Sequence, residues 1–358
     1  MIITILTFAI ILLILVVIHE AGHFFAAKLM GIKVEEFGFG LPPRAWGKKV
    51  GETIYSLNWL PIGGFVRLYG EDTVHPENVK KERSRAFFAK KPWQRSIVLT
   101  AGVTMNFLLG WFLISYLFTQ GVLIPSDKVI VEGTAENSPA ALAGLTVGDE
   151  IISLISPKGE KLMIDSSEDL ISNTNKFLDQ EITLELVRDG SRIEVSVTPR
   201  STPPKGEGAM GVIVSNLVEK KYSLTEAPAK GLEHVFEIIK LTAGGIGSSI
   251  AKLLTLRGGD AEIAGPLGIG KLVGEARRFG LSALVELTAI LSINLALINV
   301  LPFPALDGGR LAFVIVEGVT GKKMKPQWET YLHQIGMIIL LGLLLMVTIN
   351  DILRFTAG

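Results

Sequence analysis

Hydrophobic and polar positions divide the chain into long apolar runs and polar stretches. Four segments are poor in charge and long enough to cross a bilayer, which takes about 20 residues. They cover residues 1–30, 96–124, 281–302 and 331–354, and we predict a transmembrane helix in each. The first basic residue, Lys28, follows the first run, whereas a signal peptide carries its positive charge before the apolar core. We therefore interpret this run as a retained helix.

The connections between the runs alternate between apolar and polar residues, as strands do. Within residues 31–95, "ETIYSLNWLPIGGFVRLYGED" predicts a hairpin with its turn at Pro61 to Gly64. Taken by itself, such a hairpin beside the membrane would brace the helices. Within residues 125–201, "QEITLELVRDGSRIEVSVTP" predicts a second hairpin around Asp189 and Gly190.

The remaining polar segments are predicted from their composition and their charge. Residues 202–280 are interpreted as a Pro/Gly-rich linker and an amphipathic helix in the membrane interface, and residues 303–330 as a loop with a short polar segment. Lys and Arg are concentrated in residues 31–95 and 303–330, so the positive-inside rule places both on the cytoplasmic side. Residues 125–280 and both termini are then extracytoplasmic.

Composition agrees with a membrane protein and excludes some chemistry. Mean hydropathy is +0.43, above that of ordinary soluble domains. The net charge of zero argues against nucleic-acid binding over the whole surface. The absence of cysteine excludes thiolate ligands, disulfides and a cysteine nucleophile.

The first apolar run ends in "HEAGH", which contains His19, Glu20 and His23. On a helix the two histidines share one face, at the spacing that lets two imidazoles bind one metal ion. Glu20 projects about 100° away, where it can act as a general base on water at the metal. Each ionisable group near the bilayer centre costs about 2.5–3.5 kcal/mol, which a bound divalent cation would offset. The alternative is a polar cluster whose hydrogen bonds are satisfied between helices.

A third ligand is needed, and Asp307 in "INVLPFPALDGGRLAF" is the best candidate. Pro302 and Pro304 break the helix there, and broken helix at membrane depth usually lines a cavity. Asp307 could instead be a helix N-cap. Glu286 and Asp72 are possible substitute ligands. The other histidines are interpreted as ordinary polar residues: His75, His234 and His333.

Three motifs together resemble the site-2 protease family of intramembrane zinc metalloproteases: "HEAGH", "NVLPFPALDGG" and the PDZ-like "SPAALAGLTVGDEI". The resemblance is strongest to the bacterial group that includes the regulator of sigma-E protease, here with a single PDZ domain. It implies that Zn²⁺ is held by His19, His23 and Asp307, with Glu20 as the catalytic base. It also implies that Asn299 positions substrate. An edge strand would hold the substrate extended through Gly63, Gly64, Phe65 and Val66.

The fold class that follows is a polytopic α-helical membrane protein with about four transmembrane helices. A membrane-associated β-hairpin region lies on the cytoplasmic side and a β-rich PDZ domain, residues 125–201, lies outside. The resemblance implies cleavage of single-span membrane proteins, such as anti-sigma factors or residual signal peptides, in a bacterial inner membrane. Expected partners are the membrane-anchored substrate, peptide or protein termini at the PDZ domain and the lipid bilayer, with no nucleic acid. The alternative is a non-catalytic PDZ scaffold; a metal-ion transporter is less favoured because no paired repeats are found.

Overall fold

The computed structural model describes residues 2–71, 82–254, 265–324 and 326–357. The candidate residues Asp72 and His75 lie outside these ranges. The chain divides into a larger unit, Met1–Leu117 with Ser223–Gly358, and a smaller unit, Phe118–Tyr222.

The helices and strands follow one another in this order: α1 (Ile2–Leu29), β1 (Val34–Val50), β2 (Thr53–Leu68), α2 (Pro92–Gln120), β3 (Val122–Thr134), α3 (Pro139–Leu142), β4 (Glu150–Ile155), β5 (Lys161–Met163), α4 (Ser167–Thr174), β6 (Ile182–Arg188), β7 (Ser191–Val197), β8 (Val212–Lys220), α5 (Ala227–Leu254), α6 (Pro266–Phe279), α7 (Leu281–Val300), α8 (Asp307–Thr320) and α9 (Pro326–Ala357).

Four of these helices are long and apolar enough to cross a membrane: α1, α2, α7 and the Gln327–Leu353 part of α9. The prediction of four spanning segments is confirmed by length and composition. The second helix begins and ends four residues earlier than predicted. Pro92 suits a first helical position, where its missing N–H costs nothing. After Gln120, Gly121 adopts a φ of +118° and the chain continues as β3, so residues 122–124 are strand.

The predicted hairpin with its turn at Pro61 to Gly64 is wrong. Residues 36–39 of β1 lie between two parts of β2, and Phe37 is opposite both Tyr55 and Val66. Residue numbers rise together along the pairing with residues 54–57 and run oppositely along the pairing with residues 64–67. The two parts therefore run in opposite directions, but the β1 segment lies between them, so they do not pair with each other as a hairpin would. The hairpin whose strands do pair turns at Gly51, between β1 and β2, where Val50 lies opposite Thr53. Alternation shows that a segment is a strand but does not name its partner.

The smaller unit is built on an antiparallel sheet with strand order β7-β6-β4-β3-β8 and β5 beside β4. The hairpin predicted around Asp189 and Gly190 is confirmed, since β6 and β7 pair from Ile182 opposite Val197 to Arg188 opposite Ser191. Side chains from the inner face of the sheet form a buried core, among them Val129, Leu154 and Leu184.

Two segments differ from their predicted character. Residues 212–220, assigned to the linker, form β8, because Val212 and Val214 pack against the core while β8 pairs with β3. Residues 307–320, assigned to a loop and polar segment, form α8 immediately after the Pro-rich turn. In both cases the strand or helix follows a Pro/Gly-rich stretch and packs on residues distant in sequence, so the local composition did not predict it.

Candidate metal centre

A cavity of about 440 Å³ lies within the larger unit. Its wall combines residues from α1, β2, α2, the turn before α8, and α9. The sequence-predicted residues on this wall are His19, Glu20, His23, Gly64, Phe65, Val66 and Asp307. Residues nearly 300 positions apart in the sequence therefore meet in one site.

Three side-chain atoms converge at the cavity wall. The two imidazole Nε2 atoms of His19 and His23 are 3.3 Å apart. Asp307 Oδ2 lies 3.1 Å from the first and 3.2 Å from the second. Both histidines are buried, with exposed fractions of 8% and 9%. This trio is also the group of potential metal ligands within the described residues.

The hydrogen positions at this trio follow from its neighbours. His23 Nδ1 lies 2.8 Å from the carbonyl oxygen of Val98, which can only accept, so Nδ1 carries the hydrogen. The Nε2 lone pair of neutral His23 then faces the other two atoms. At most one hydrogen, that of His19, can lie among the three atoms. Asp307 Oδ2 is buried and faces the two imidazoles, with no further hydrogen-bond partner in the described part of the chain.

This arrangement fits a zinc ion. Buried acceptor atoms facing one another repel unless a cation lies between them. A tetrahedral site with bonds of about 2.0 Å has ligand–ligand distances of about 3.3 Å, close to the three distances given above. Two imidazole nitrogens and one carboxylate oxygen are also the protein ligands of several catalytic zinc sites, which keep a fourth position open.

The alternatives for Asp307 are not supported. The residue before α8, Leu306, occupies the N-cap position without a side-chain hydrogen bond, and Asp307 is the first helical residue, so it is not the N-cap. Glu286 is exposed on α7 and does not belong to the trio. Asp72 lies outside the described residues.

The turn before Asp307 depends on close backbone contacts. Two glycines allow them: a Cβ on Gly308 would lie 2.2 Å from the carbonyl oxygen of Leu301, and one on Gly309 2.3 Å from that of Phe303. Ala305 adopts a φ of +78°, which is strained for a residue with a side chain.

His333 on α9 stabilises this turn, because its Nδ1 accepts a hydrogen bond from the Ala305 N–H at 3.2 Å. It also lines the cavity. Sequence reasoning missed His333, since a single histidine early in an apolar run gives no signal of its partner. His234, by contrast, is half-buried on α5 and contacts Glu237 one turn away, as expected of an ordinary polar residue.

One face of α2 supports the histidines of α1. Val98, Gly102 and Asn106 follow at four-residue intervals and therefore share this face. A Cβ on Gly102 would lie 2.3 Å from His23 Nε2. On α1, a Cβ on Gly22 would lie 2.4 Å from the carbonyl oxygen of Ala101. Small residues thus let the two helices approach closely, as is common in membranes.

Glu20 lies beside the part of β2 that lines the cavity. A Cβ on Gly64 would lie 3.0 Å from Glu20 Cγ, and the backbone amide of Val66 interacts with the carboxylate. Two other predicted substrate-binding residues are not part of the cavity wall that the structure describes. Gly63 adopts a φ of +75°, and Asn299 is half-buried in the last turn of α7. Of the substrate-binding residues that the resemblance implied, Gly64, Phe65 and Val66 therefore line the cavity, whereas Gly63 and Asn299 do not.

An ion-pair network lies at the end of α1 beyond the cavity. Lys28 Nζ and Arg85 Nη2 contact Glu52 at 2.6 and 2.7 Å. Hydrogen bonds from Lys28 and then Arg85 lower the pKa of Glu52 to about 2. Glu52 is therefore ionised throughout the physiological range and ties the β1–β2 turn to α1.

The fold and this site define a class, a multi-pass membrane zinc metalloprotease. The profile of Peptidase family M50 matches residues 7–343, so the chain belongs to this family of site-2 proteases. It is 30% identical to a regulator of sigma-W protease, RasP, from Bacillus subtilis across 98% of each chain. The zinc metalloprotease RasP of Bacillus licheniformis is 29% identical, across 98% of this chain and 99% of its own. CPE1693 of Clostridium perfringens, provisionally named a zinc metalloprotease, is 33% identical across 95% of each chain.

The predicted enzyme class and cofactor are confirmed: the chain is a zinc metalloendopeptidase. Family membership also removes support for the non-catalytic scaffold and the transporter. The roles of individual residues are inferred from the geometry below.

Proposed function

We propose that the chain hydrolyses a peptide bond within or near the transmembrane segment of single-span membrane proteins, with zinc held by His19, His23 and Asp307. The observation that carries the proposal is the trio of converging ligand atoms beside Glu20, inside an apolar helix bundle. Within the bilayer, apolar residues would pack at a lower energetic cost than these ionisable groups, so packing alone does not explain why they are there.

In such a site, zinc would polarise both the attacking water and the scissile carbonyl. Glu20 lies on the same cavity wall as the three ligands, so its carboxylate can accept a proton from water and then donate it to the departing amine nitrogen. Asn299 would assist by donating its amide to a substrate carbonyl, which requires the substrate to reach from the cavity to the end of α7.

The edge of β2 suggests how substrate is held. Residues 64–68 pair with β1 on one side. On the other side, no strand of the described chain pairs with them. Gly64, Phe65 and Val66 also line the cavity beside Glu20. A helical substrate must unwind to expose its peptide bond, and a free strand edge offers replacement hydrogen bonds to the extended chain.

The smaller unit is proposed to act as a single extracytoplasmic PDZ domain. A cavity of about 660 Å³ lies between α4 and β8, with Leu170, Ile171, Val212 and Val214 in its wall. Strand β8 is at the edge of the sheet, so a peptide or protein terminus could add as a further strand there.

The direction of cleavage follows from the predicted topology. The charge distribution supports a cytoplasmic location for the site-proximal β region, so a product would be released into the cytoplasm of a bacterial cell. A relative named as a regulator of sigma-W protease favours anti-sigma factors as substrates within regulated intramembrane proteolysis. Residual signal peptides are a further candidate class.

The proposal is tested by co-expression with a tagged single-span substrate and by reconstitution with the same substrate. Glu20→Gln should lower turnover by about 10²–10⁴-fold, the usual contribution of a general base, while membrane insertion and zinc content stay unchanged. Glu286→Gln, which alters an exposed glutamate on α7, is the matched control and should cleave normally. Undiminished cleavage by Glu20→Gln would overturn the assignment of the base.

A further inference from the structure

Asn106 on α2 is fully buried, with an exposed fraction of 0%, although its side chain is polar. Its carboxamide contacts the first histidine of the metal centre: Nδ2 lies 3.3 Å from His19 Nδ1. The carboxamide oxygen Oδ1 is buried and has no partner among the described residues. A buried acceptor without a donor is destabilising, so this amide needs an explanation.

The orientation of this amide decides which nitrogen of His19 carries the hydrogen. With Nδ2 facing His19, the amide donates to Nδ1, and the hydrogen of a neutral ring lies on Nε2, among the three converging atoms. With the amide turned by 180°, Oδ1 faces His19 and accepts a hydrogen bond from Nδ1–H. The two ends of a carboxamide have nearly the same shape, so this turn needs no other movement.

Only the second orientation suits a metal ligand. It gives Asn106 Oδ1 its missing donor and leaves the His19 Nε2 lone pair free to bind a cation. His19 then has the same arrangement as His23, whose Nδ1–H donates to the carbonyl oxygen of Val98. Metal-binding histidines generally donate their other ring hydrogen to such an acceptor, which fixes the tautomer and the ring.

We propose that Asn106 is a positioning residue that sets the tautomer of His19 for zinc binding by accepting a hydrogen bond from its Nδ1–H. The proposal rests on the proposed zinc-binding role of His19. The backbone of Asn106 is itself held, because Ser292 Oγ on α7 donates to its carbonyl oxygen at 2.8 Å. Three helices, α1, α2 and α7, thereby converge on this one hydrogen bond.

The test measures zinc affinity by chelator competition on the purified full-length chain carrying Glu20→Gln, so that proteolytic activity plays no part in the readout. Asn106→Ala removes the acceptor and should weaken zinc binding about 10–100-fold, the range for lost outer-shell partners. Asn106→Asp retains an acceptor and should bind within a few-fold of the parent. Asn294→Ala is the control, since Asn294 on α7 accepts a hydrogen bond from Thr242 and does not contact the trio.

The outcomes separate this inference from the proposed function. The role of the acceptor would be overturned if Asn106→Ala bound zinc as tightly as the parent. It would also be overturned if Asn106→Ala and Asn106→Asp lost zinc affinity equally. His19→Ala in the same background should abolish tight binding; if it does not, the proposed metal site itself fails. Thermal unfolding of each variant in detergent checks that the loss is not general misfolding, and a matching loss of fold in Asn106→Ala but not in Asn294→Ala would count against a role confined to zinc.

Discussion

The contact between Gly102 and the metal centre gives a prediction with a magnitude. A Cβ added by Gly102→Ala would lie 2.3 Å from His23 Nε2 and 2.8 Å from His19 Cε1. Ordinary contacts begin near 3.4 Å, so the His23 ring must move by about 1 Å. An imidazole can turn without unfolding the helix pair, and the damage should fall on zinc binding and catalysis. A displacement of about 1 Å typically costs about 10²-fold in rate, or about 2.7 kcal/mol of activation free energy.

The assay measures the initial rate of substrate cleavage and the zinc content of three proteins: the parent, Gly102→Ala and Gly110→Ala. Each is reconstituted in membranes of the same composition. Gly110 is on the same helix and equally crowded, since its Cβ would lie 2.5 Å from Ile293 Cγ1, but it faces α7 and not the histidines. Gly102→Ala should lose about 10²-fold in rate with weaker zinc binding and little change in melting temperature. Gly110→Ala should lose stability and keep zinc. Equal losses of zinc in both variants would show that helix packing in general, and not ligand displacement, is responsible.

Two further predictions concern other parts of the chain. His333→Ala removes the acceptor of the Ala305 N–H in the strained turn. An unpaired donor in such a half-buried turn costs about 1 kcal/mol, so zinc affinity should fall about fivefold to tenfold. His234→Ala, on α5 and away from the cavity, should leave zinc affinity unchanged. Equal affinities for both variants would remove the role of His333. In the smaller unit, hydrogen bonds from Arg188 lower the pKa of Asp149, which is 1% exposed. A folded-state pKa below the unfolded value means that this stabilisation is complete above about pH 4 and is lost as pH falls through the folded-state pKa. The measurement is hydrogen-exchange protection of β4 in the full-length chain, corrected for intrinsic rates. On acidification, this protection should drop more in the parent than in Asp149→Asn, because the variant should already be less stable by about 1–3 kcal/mol at neutral pH. Identical pH profiles for the two proteins would contradict this.

Local spacing was enough to predict the α1 part of the candidate metal centre. His19 and His23 are four residues apart on one helix, so the sequence alone shows that they share a face, and Glu20 borders that face. Asp307 could be found because two prolines and two glycines mark a sharp turn beside it. In each case the signal lies within about ten residues of the side chain that carries the chemistry.

The supporting residues could not be predicted in this way. Asn106 is 87 positions from His19, and His333 is 28 positions from Ala305. Each looks like an ordinary polar residue of an apolar segment until the helices are packed. The pairing of β2 on both sides of β1 was hidden for the same reason, because alternation along one strand contains no information about its neighbours.

The central claim, that His19, His23 and Asp307 together hold zinc, is tested most directly by locating the metal in crystals of the full-length chain. Diffraction data collected on both sides of the zinc absorption edge should give one anomalous peak about 2.0–2.2 Å from the two Nε2 atoms and Asp307 Oδ2. A zinc peak elsewhere, or one bound by the histidines with Asp307 more than about 4 Å away, would contradict the account.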